Sequence, residues 1–525
     1  MRIQLLSVLI LLVPRSALLT GQTDQPAMTK VDSSGPKPQP HIGTLAETTH
    51  TLRIESTSLS YKATAGHMAI FDENEKITAK IFFIAYTRSD VANVSNRPVT
   101  FTFNGGPGSS SVWLHLGGLG PKRVLCGENG EQLPPPYRLV DNEGSILDAT
   151  DLVFIDPVST GFSKVPEGRN AKDHHGLQED LNSVAEFIRL YLTRYKRWGS
   201  PKFLAGESYG TTRAAGLSSV LHDQYGITLN GVILISVALN FQTFLFAEGN
   251  DLPYSLYLPS YTATAWYHKK LPTELQQDFK KALNEAEQFA EGEYSQALMR
   301  GIALSEVEKQ AIARKVARLT GLSEDYVLRC HLRVEYSRFM KELLRDRKRT
   351  VGRFDSRFLG TDSDANGATS EYDPSFPIVL GPYTQTLNDY VRSELKVEND
   401  SNYEILSGKV QPWKWNTENR YANLAANLRR AMMMNPYLNV YVANGYYDLA
   451  TPYFAADYTF KHLAFDPLIA QRITTSYYDA GHMMYIHKPS LLKMRKELLA
   501  FIQGAIQPRA QKEISQNPQP KAPYR

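Results

Sequence analysis

Two short, largely apolar runs constrain this chain most: residues 151–155 (DLVFI) and 202–205 (KFLA). They bracket a helical pattern in which Leu177, Leu181, Val184, Ile188, Leu192 and Tyr195 recur at three- and four-residue steps. Runs of that length and character suit strands buried on both faces. Strand, helix and strand at this separation make a βαβ unit, which dictates a parallel sheet with helices packed on it. Further strands are expected at 78–87 (TAKIFFIAYT), 98–103 (PVTFTF), 231–235 (GVILI) and 438–442 (LNVYV), and a last amphipathic helix at 490–502.

The run ending at Ala205 passes directly into Gly206-Glu207-Ser208-Tyr209-Gly210, followed by a helix-like segment. A sharp strand-to-helix turn forces its serine into a strained backbone, and the flanking glycines remove side chains that would collide there. The pentapeptide alone is a weak signal; the strand before it and the helix after it make it specific. A serine hydroxyl is a poor nucleophile near neutral pH and needs a base, itself oriented by a third group. Asp448 follows the strand that starts at 438, and His482 follows one that ends at 476–479, so both stand in loops after strands. The order Ser208, Asp448, His482 is that of α/β-hydrolases and not of chymotrypsin-like or subtilisin-like enzymes. Competing residues fit less well. His487 precedes Lys488-Pro489 at the entry to the last helix, His174 and His175 read as exposed residues opening the βαβ helix, and Asp479 shares the loop of His482.

Directly after the strand 98–103 comes Asn104-Gly105-Gly106-Pro107-Gly108-Ser109-Ser110-Ser111. Adjacent glycines let a backbone approach a ligand and present unpaired N–H groups. Acyl transfer develops an oxyanion, for which the N–H of Tyr209 and that of Gly106 are the candidate donors. A phosphate-binding loop is the alternative, but its Lys-Ser/Thr ending is absent. Residues 241–385 break the alternation of strands and helices: 273–299 and 305–320 read as charged amphipathic helices, and 360–370 is rich in Gly, Asp and Ser. The fold class expected is α/β, an α/β-hydrolase fold with a mostly parallel central sheet and a helical cap insertion. Its parts are 51–240 and 386–507, with the cap at 241–385; a separate domain with its own task is the alternative for the last.

Arg2 followed by the apolar run 5–13 (LLSVLILLV) reads as a signal peptide over 1–21, cleaved near 17–25. That run is shorter than the ~20 residues of a membrane span, and no later segment holds 18 uninterrupted apolar residues. Export to the periplasm or the exterior is expected. Residues 22–50 and 508–525 are Pro-, Ser- and Gln-containing stretches that read as a disordered leader and tail. The formal net charge of +4 argues against nucleic-acid binding by charge. Cys126 and Cys330 are the only cysteines, which excludes a disulfide-dense scaffold and a cysteine-based zinc site. No metal or cofactor motif is present.

Together the segments FNGGPGSSS (103–111), GLGP (118–121), FIDPVSTGFS (154–163), GESYG (206–210), NGYYDLATP (444–452) and AGHMMYIHKP (480–489) resemble the serine carboxypeptidase family, peptidase family S10, over about residues 75–505. The resemblance implies Ser208 as nucleophile, His482 as base, Asp448 as its partner, and Gly106 and Tyr209 as oxyanion donors. It implies that Asn104, Gly105 and Glu207 contact the terminal carboxylate of a peptide substrate and that Met483 lines the pocket for the leaving residue. Four positions depart from the family pattern: Thr102 stands for a tryptophan, Gly118 for a second glutamate, and Ser109 and Thr451 for cysteines. With so few cysteines the chain resembles a bacterial-type branch, in which the sequons at Asn93 and Asn399 carry no consequence. A carboxyl facing a carboxylate works when the two share a proton, so peptide cleavage is expected to favour acid. The function expected is removal of C-terminal residues from peptides, with an esterase or acyltransferase on the same machinery, or a non-catalytic binding protein, as alternatives.

Overall fold

In the computed structural model, which describes residues 45–463 and 466–507, a nine-stranded sheet carries the chain. The expected signal peptide, the leader as far as residue 44 and the tail from 508 lie outside the described residues. The strands are β1 (Ala46–Ile54), β2 (Thr57–Phe71), β3 (Ile77–Arg88), β4 (Val99–Phe103), β5 (Asp151–Ile155), β6 (Lys202–Ser208), β7 (Gly231–Val237), β8 (Asn439–Gly445) and β9 (Ile473–Tyr478). Their spatial order is β1-β2-β3-β5-β4-β6-β7-β8-β9. Every pairing from β5 to β9 is parallel, whereas β1, β2 and β3 are antiparallel to their neighbours. This is the mostly parallel α/β-hydrolase arrangement read from the sequence, and β5, helix α1 (Leu177–Arg194) and β6 are its βαβ unit.

All residues of β4, β5 and β7 are buried, as strands covered on both faces must be. On one face Phe101, Leu204, Leu234 and Val440 pack against α1, α2 (Tyr209–Tyr225) and α7 (Ala425–Met434) through Leu181, Val184, Leu217 and Leu428. On the other, Phe203, Ile233 and Tyr441 meet α6 (Ser375–Ser393) and α8 (Lys488–Ile506) through Val379, Leu387, Leu491 and Leu498. Each such fully buried aliphatic side chain contributes about 1.5–3 kcal/mol.

The insertion has its own apolar cluster. In it α3 (Leu252–Tyr267), α4 (Phe279–Phe289) and α5 (Glu306–Thr320) bring together Leu256, Tyr261, Ala282, Ala313 and Phe339. A reciprocal cap between Ser305 and Glu308 starts α5. The helix expected over 273–299 is interrupted, with non-helical torsions at Gly292 (φ −109, ψ −106). Two expected boundaries move. A cut at 385 falls inside α6, whose buried side belongs to the core of the sheet; the helical cap proper runs from 252 to 351. The stretch expected to be disordered up to 50 already contains the start of β1 at Ala46. That strand buries only Leu52 and Ile54, so its polar composition conceals it.

Candidate active site

β6 ends at Ser208, whose torsions are φ 60 and ψ −130, and α2 begins at the next residue. A positive φ on a non-glycine residue costs on the order of 1–3 kcal/mol and persists only where its surroundings enforce it. Here the enforcement is steric. A Cβ on Gly206 would lie 2.1 Å from the carbonyl oxygen of Gly210, and one on Gly105 would lie 2.4 Å from Tyr209 N. The register that sets Phe103 beside Gly206 therefore lays the glycine loop directly on the elbow. Arg213, one turn into α2, locks the two together: its Nε donates to Asp180 Oδ2 (2.8 Å) and its Nη1 to the carbonyl of Asn104 (2.6 Å). Asp156, from the segment 154–163, pins the far end of the loop by accepting from both N and Oγ of Ser111 at 2.9 Å.

His482 Nδ1 is 2.7 Å from Asp448 Oδ2. The other Asp448 oxygen accepts from the N–H groups of Ala450 (2.7 Å) and Thr451 (3.0 Å), and Thr451 Oγ1 donates to Oδ2 (2.8 Å). Thr451, which replaces a family cysteine, thus holds the acid in place. The backbone of His482 is held on both sides, by the carbonyl of Phe354 (2.6 Å) and the hydroxyl of Ser236 (2.6 Å). Burial opposes charging of the imidazole, but Asp448 and then Glu207 outweigh it and raise its pKa above the usual histidine value. A proton on Nδ1 directed at Asp448 leaves Nε2 as the basic nitrogen.

Ser208, His482, Asn104, Gly105, Gly106, Glu207, Tyr209 and Met483 all line one cavity of about 970 Å³. Asp448 stands behind His482 and is fully buried. Ser208 and His482 open on the same space without a hydrogen bond to each other; such contacts are often long before substrate binds. Glu207 is 3% exposed and takes a 2.6 Å hydrogen bond from the hydroxyl of Tyr485. Burial pushes its carboxyl up to about 7, against the opposing pull of His482, Tyr485 and Asn104. Asn104 accepts from Leu114 N (3.1 Å), while its Nδ2 is buried with no partner among the described residues.

Tyr485 went unread as a functional residue, although it lies within a recognised segment. A Cβ on Gly118 would come within 3.3 Å of its ring, and one on Gly117 within 2.5 Å. The ring thus fills the space beside the position where the family carries its second glutamate, and its hydroxyl becomes the partner of Glu207. Thr102 is buried in β4 without a hydroxyl partner among the described residues, and Ser109 accepts the indole N–H of the cavity residue Trp113 (2.8 Å).

The competing residues stay outside the cavity. His487 precedes α8 and meets Ser490 Oγ (2.7 Å), and Asp479 is exposed. His175, expected to be exposed, is buried instead: a short turn at Ala171–His174 precedes α1 and tucks its Nε2 against Ser159 Oγ (2.9 Å). His174 is half-buried. Cys126 and Cys330 are both free.

The sequence model of the serine carboxypeptidase family matches residues 54–495. The pheromone-processing carboxypeptidase KEX1 of Saccharomyces cerevisiae is 33% identical over 156 residues, 28% of this chain and 20% of that protein. Serine carboxypeptidase-like 33 of Arabidopsis thaliana is 30% identical over 167 residues, 30% of this chain and 31% of that protein. The chain thus spans between a fifth and a third of these curated relatives' lengths. The crystal structure of Kex1(Δ)p, a prohormone-processing carboxypeptidase from Saccharomyces cerevisiae, aligns with a TM-score of 0.52 at 18% identity, covering 84% of this chain and 91% of that one. The likeness of fold and the family match across both halves of the sheet agree: the chain belongs to the serine carboxypeptidase family.

Proposed function

We propose that this chain is a serine carboxypeptidase that releases C-terminal residues from peptides through an acyl-enzyme. The observation that carries the reading is a strained elbow serine and an Asp448-bound His482 on the wall of one cavity, with the buried carboxyl of Glu207 beside them. Ser208 Oγ attacks the last peptide carbonyl and passes its proton to His482 Nε2. The N–H groups of Gly106 and Tyr209 receive the oxyanion. Collapse expels the terminal residue, which leaves with the proton from His482. Water then enters, gives a proton to His482 and attacks the ester carbonyl. The shortened peptide departs and Ser208 recovers its proton.

In this reading the amide of Asn104 and the carboxyl of Glu207 hold the terminal carboxylate, and Met483 lines the pocket of the leaving residue. Glu207 serves as a hydrogen-bond donor only while protonated, so recognition of a free C-terminus fades as pH rises through about 7. His482 must be neutral to act, which limits the rate at the acid end. Peptide cleavage is therefore favoured in a window about neutral pH, bounded below by protonation of His482 and above by ionisation of Glu207. The apolar run near the N-terminus supports export; among the described residues no helix is long and apolar enough to cross a membrane.

Ser208→Ala tests the chemistry. The expected result is turnover lower by about 10⁶-fold and no labelling by a fluorophosphonate. Labelling that persists in the variant overturns the assignment. Substrates with free and amidated C-termini test the specificity: a strong preference for the free acid supports a carboxypeptidase, and equal rates point to an esterase.

A further inference from the structure

Two arginines line the cavity without an ion-pair partner among the described residues: Arg420, which is exposed, and Arg353, which is half-buried. Arg353 stands where the insertion returns to the sheet, directly before Phe354, whose carbonyl holds His482 N and whose ring packs on the imidazole with centroids 5.0 Å apart. Its guanidinium lies between two rings, 5.3 Å from the centroid of Tyr336 and 5.6 Å from that of Phe354. Stacking uses the faces of a guanidinium and leaves its in-plane N–H donors for other groups. Among the described residues none of these donors has a hydrogen-bond or ion-pair partner, and Nε is fully buried.

Four arginines buried more deeply than the half-buried Arg353 are paired with carboxylates. Arg97 and Arg197 share Asp151, Arg213 has Asp180, and Arg357 has Asp355. A buried Nε with no acceptor is unfavourable, and the half-buried guanidinium lines the cavity, so Arg353 is poised for a partner from outside the chain. The other charged groups lining the cavity are Glu207, Glu335, Arg420 and His482, and neither carboxylate forms an ion pair with Arg353. Its charge bears on His482 and on Tyr257, which places it within electrostatic reach of the reacting groups. The surrounding wall of Phe246, Tyr257, Tyr336 and Phe354 is aromatic, which strengthens any ionic contact made there.

The geometry points to a carboxylate of the substrate as that partner: Arg353 is an anion-recognition residue of the active-site cavity. This rests on the carboxypeptidase reading and adds a substrate class to it. The carboxylate belongs either to an acidic side chain flanking the scissile bond or to the free C-terminus, and both would engage the planar fork through paired N–H donors.

The test uses the full chain and two variants: Arg353→Met, which keeps apolar bulk between the rings, and Arg353→Lys, which keeps the charge without the fork. N-acylated dipeptides with Glu, Gln or Lys at either position are offered as free acids and as amides. If a side chain is the partner, Glu substrates exceed Gln ones by about tenfold or more in kcat/KM, and the Met variant erases the difference. If the terminus is the partner, the Met variant slows every free acid by a similar factor and spares the amides. In both cases the Lys variant retains part of the effect. A Met variant with the wild-type melting temperature and unchanged ratios throughout overturns the proposal.

A second readout needs no peptide cleavage. N-acetylglutamate, N-acetylglutamine and the α-amide of N-acetylglutamate are compared as protectants of Ser208 against an uncharged fluorophosphonate. Protection by one of the carboxylates in the wild type that is lost in Arg353→Met supports Arg353 even if no peptide is hydrolysed. Peptide cleavage with equal protection in both proteins, and equal substrate ratios, sinks the role of Arg353 and leaves the carboxypeptidase reading intact.

Discussion

Two buried acids border the cavity, and each takes a short hydrogen bond from a ring. Asp448 meets the imidazole of His482 at 2.7 Å, and Glu207 meets the phenol of Tyr485 at 2.6 Å. The remaining surroundings differ. Both oxygens of Asp448 are occupied, by two backbone N–H groups, the Thr451 hydroxyl and His482. Glu207 has the single tyrosine hydroxyl to set against its burial, and its carboxyl rises to about 7. For Glu207 burial outweighs the few donors offered to it. In the proposed mechanism Asp448 orients His482, and Glu207, its carboxyl raised to about 7, holds a proton and so accepts the substrate carboxylate beside it.

Three variants break or sharpen that contrast, here from the largest effect to the smallest. Asp448→Asn keeps the shape and removes the charge. We expect kcat to fall by about 10⁴-fold with KM little changed; a loss under tenfold in a kinetic comparison means the histidine does not depend on its partner. Glu207→Gln replaces a titrating donor with a permanent one. At pH 8, about one unit above the Glu207 pKa, the wild type keeps roughly a tenth of its protonated form. The variant is therefore expected to show a KM for free-acid peptides about tenfold lower than wild type at that pH, with no rise between pH 6 and 8. A wild-type pH profile in the variant removes the basis for the acid preference. Tyr485→Phe deletes a donor that favours the ionised form of Glu207, so the carboxyl pKa goes up and the alkaline loss of free-acid binding shifts to higher pH, by under about one unit. A downward shift in the measured KM profile contradicts the assigned direction of the tyrosine's effect.

The positions proposed as a triad could be picked out because that chemistry needs an uncommon backbone at strand ends, and strands and glycine turns are local signals. Ser208 between Gly206 and Gly210, and loops bearing Asp448 and His482 after β8 and β9, are visible within a few residues of chain. What stayed hidden depends on distant partners. Tyr485 reaches Glu207 across 278 positions, and nothing in its neighbours announces that. Arg213 is one more basic residue on a helix until the fold sets it beside Asp180 and Asn104. The β1–β2 hairpin escaped for a different reason. Its two-residue turn is Glu55-Ser56, with Glu55 at φ 52, where Asn-Gly or a similar pair would have signalled it. The cap boundary was misplaced because α6 is amphipathic like the helices before it, and only packing reveals which core its apolar stripe joins.

The placement of that boundary limits how the roof over this cavity can be exchanged. The insertion departs after β7, and its own apolar cluster runs as far as Val351, just before Phe354, whose carbonyl holds the backbone of His482. A chimera seamed at 252 and 351 would swap the lid and leave the backbone of His482 anchored. One seamed at 385 would carry off that anchor and cut α6 in two. In this chain an exchangeable lid therefore has one pair of joints, and the strut at Phe354 belongs with the sheet.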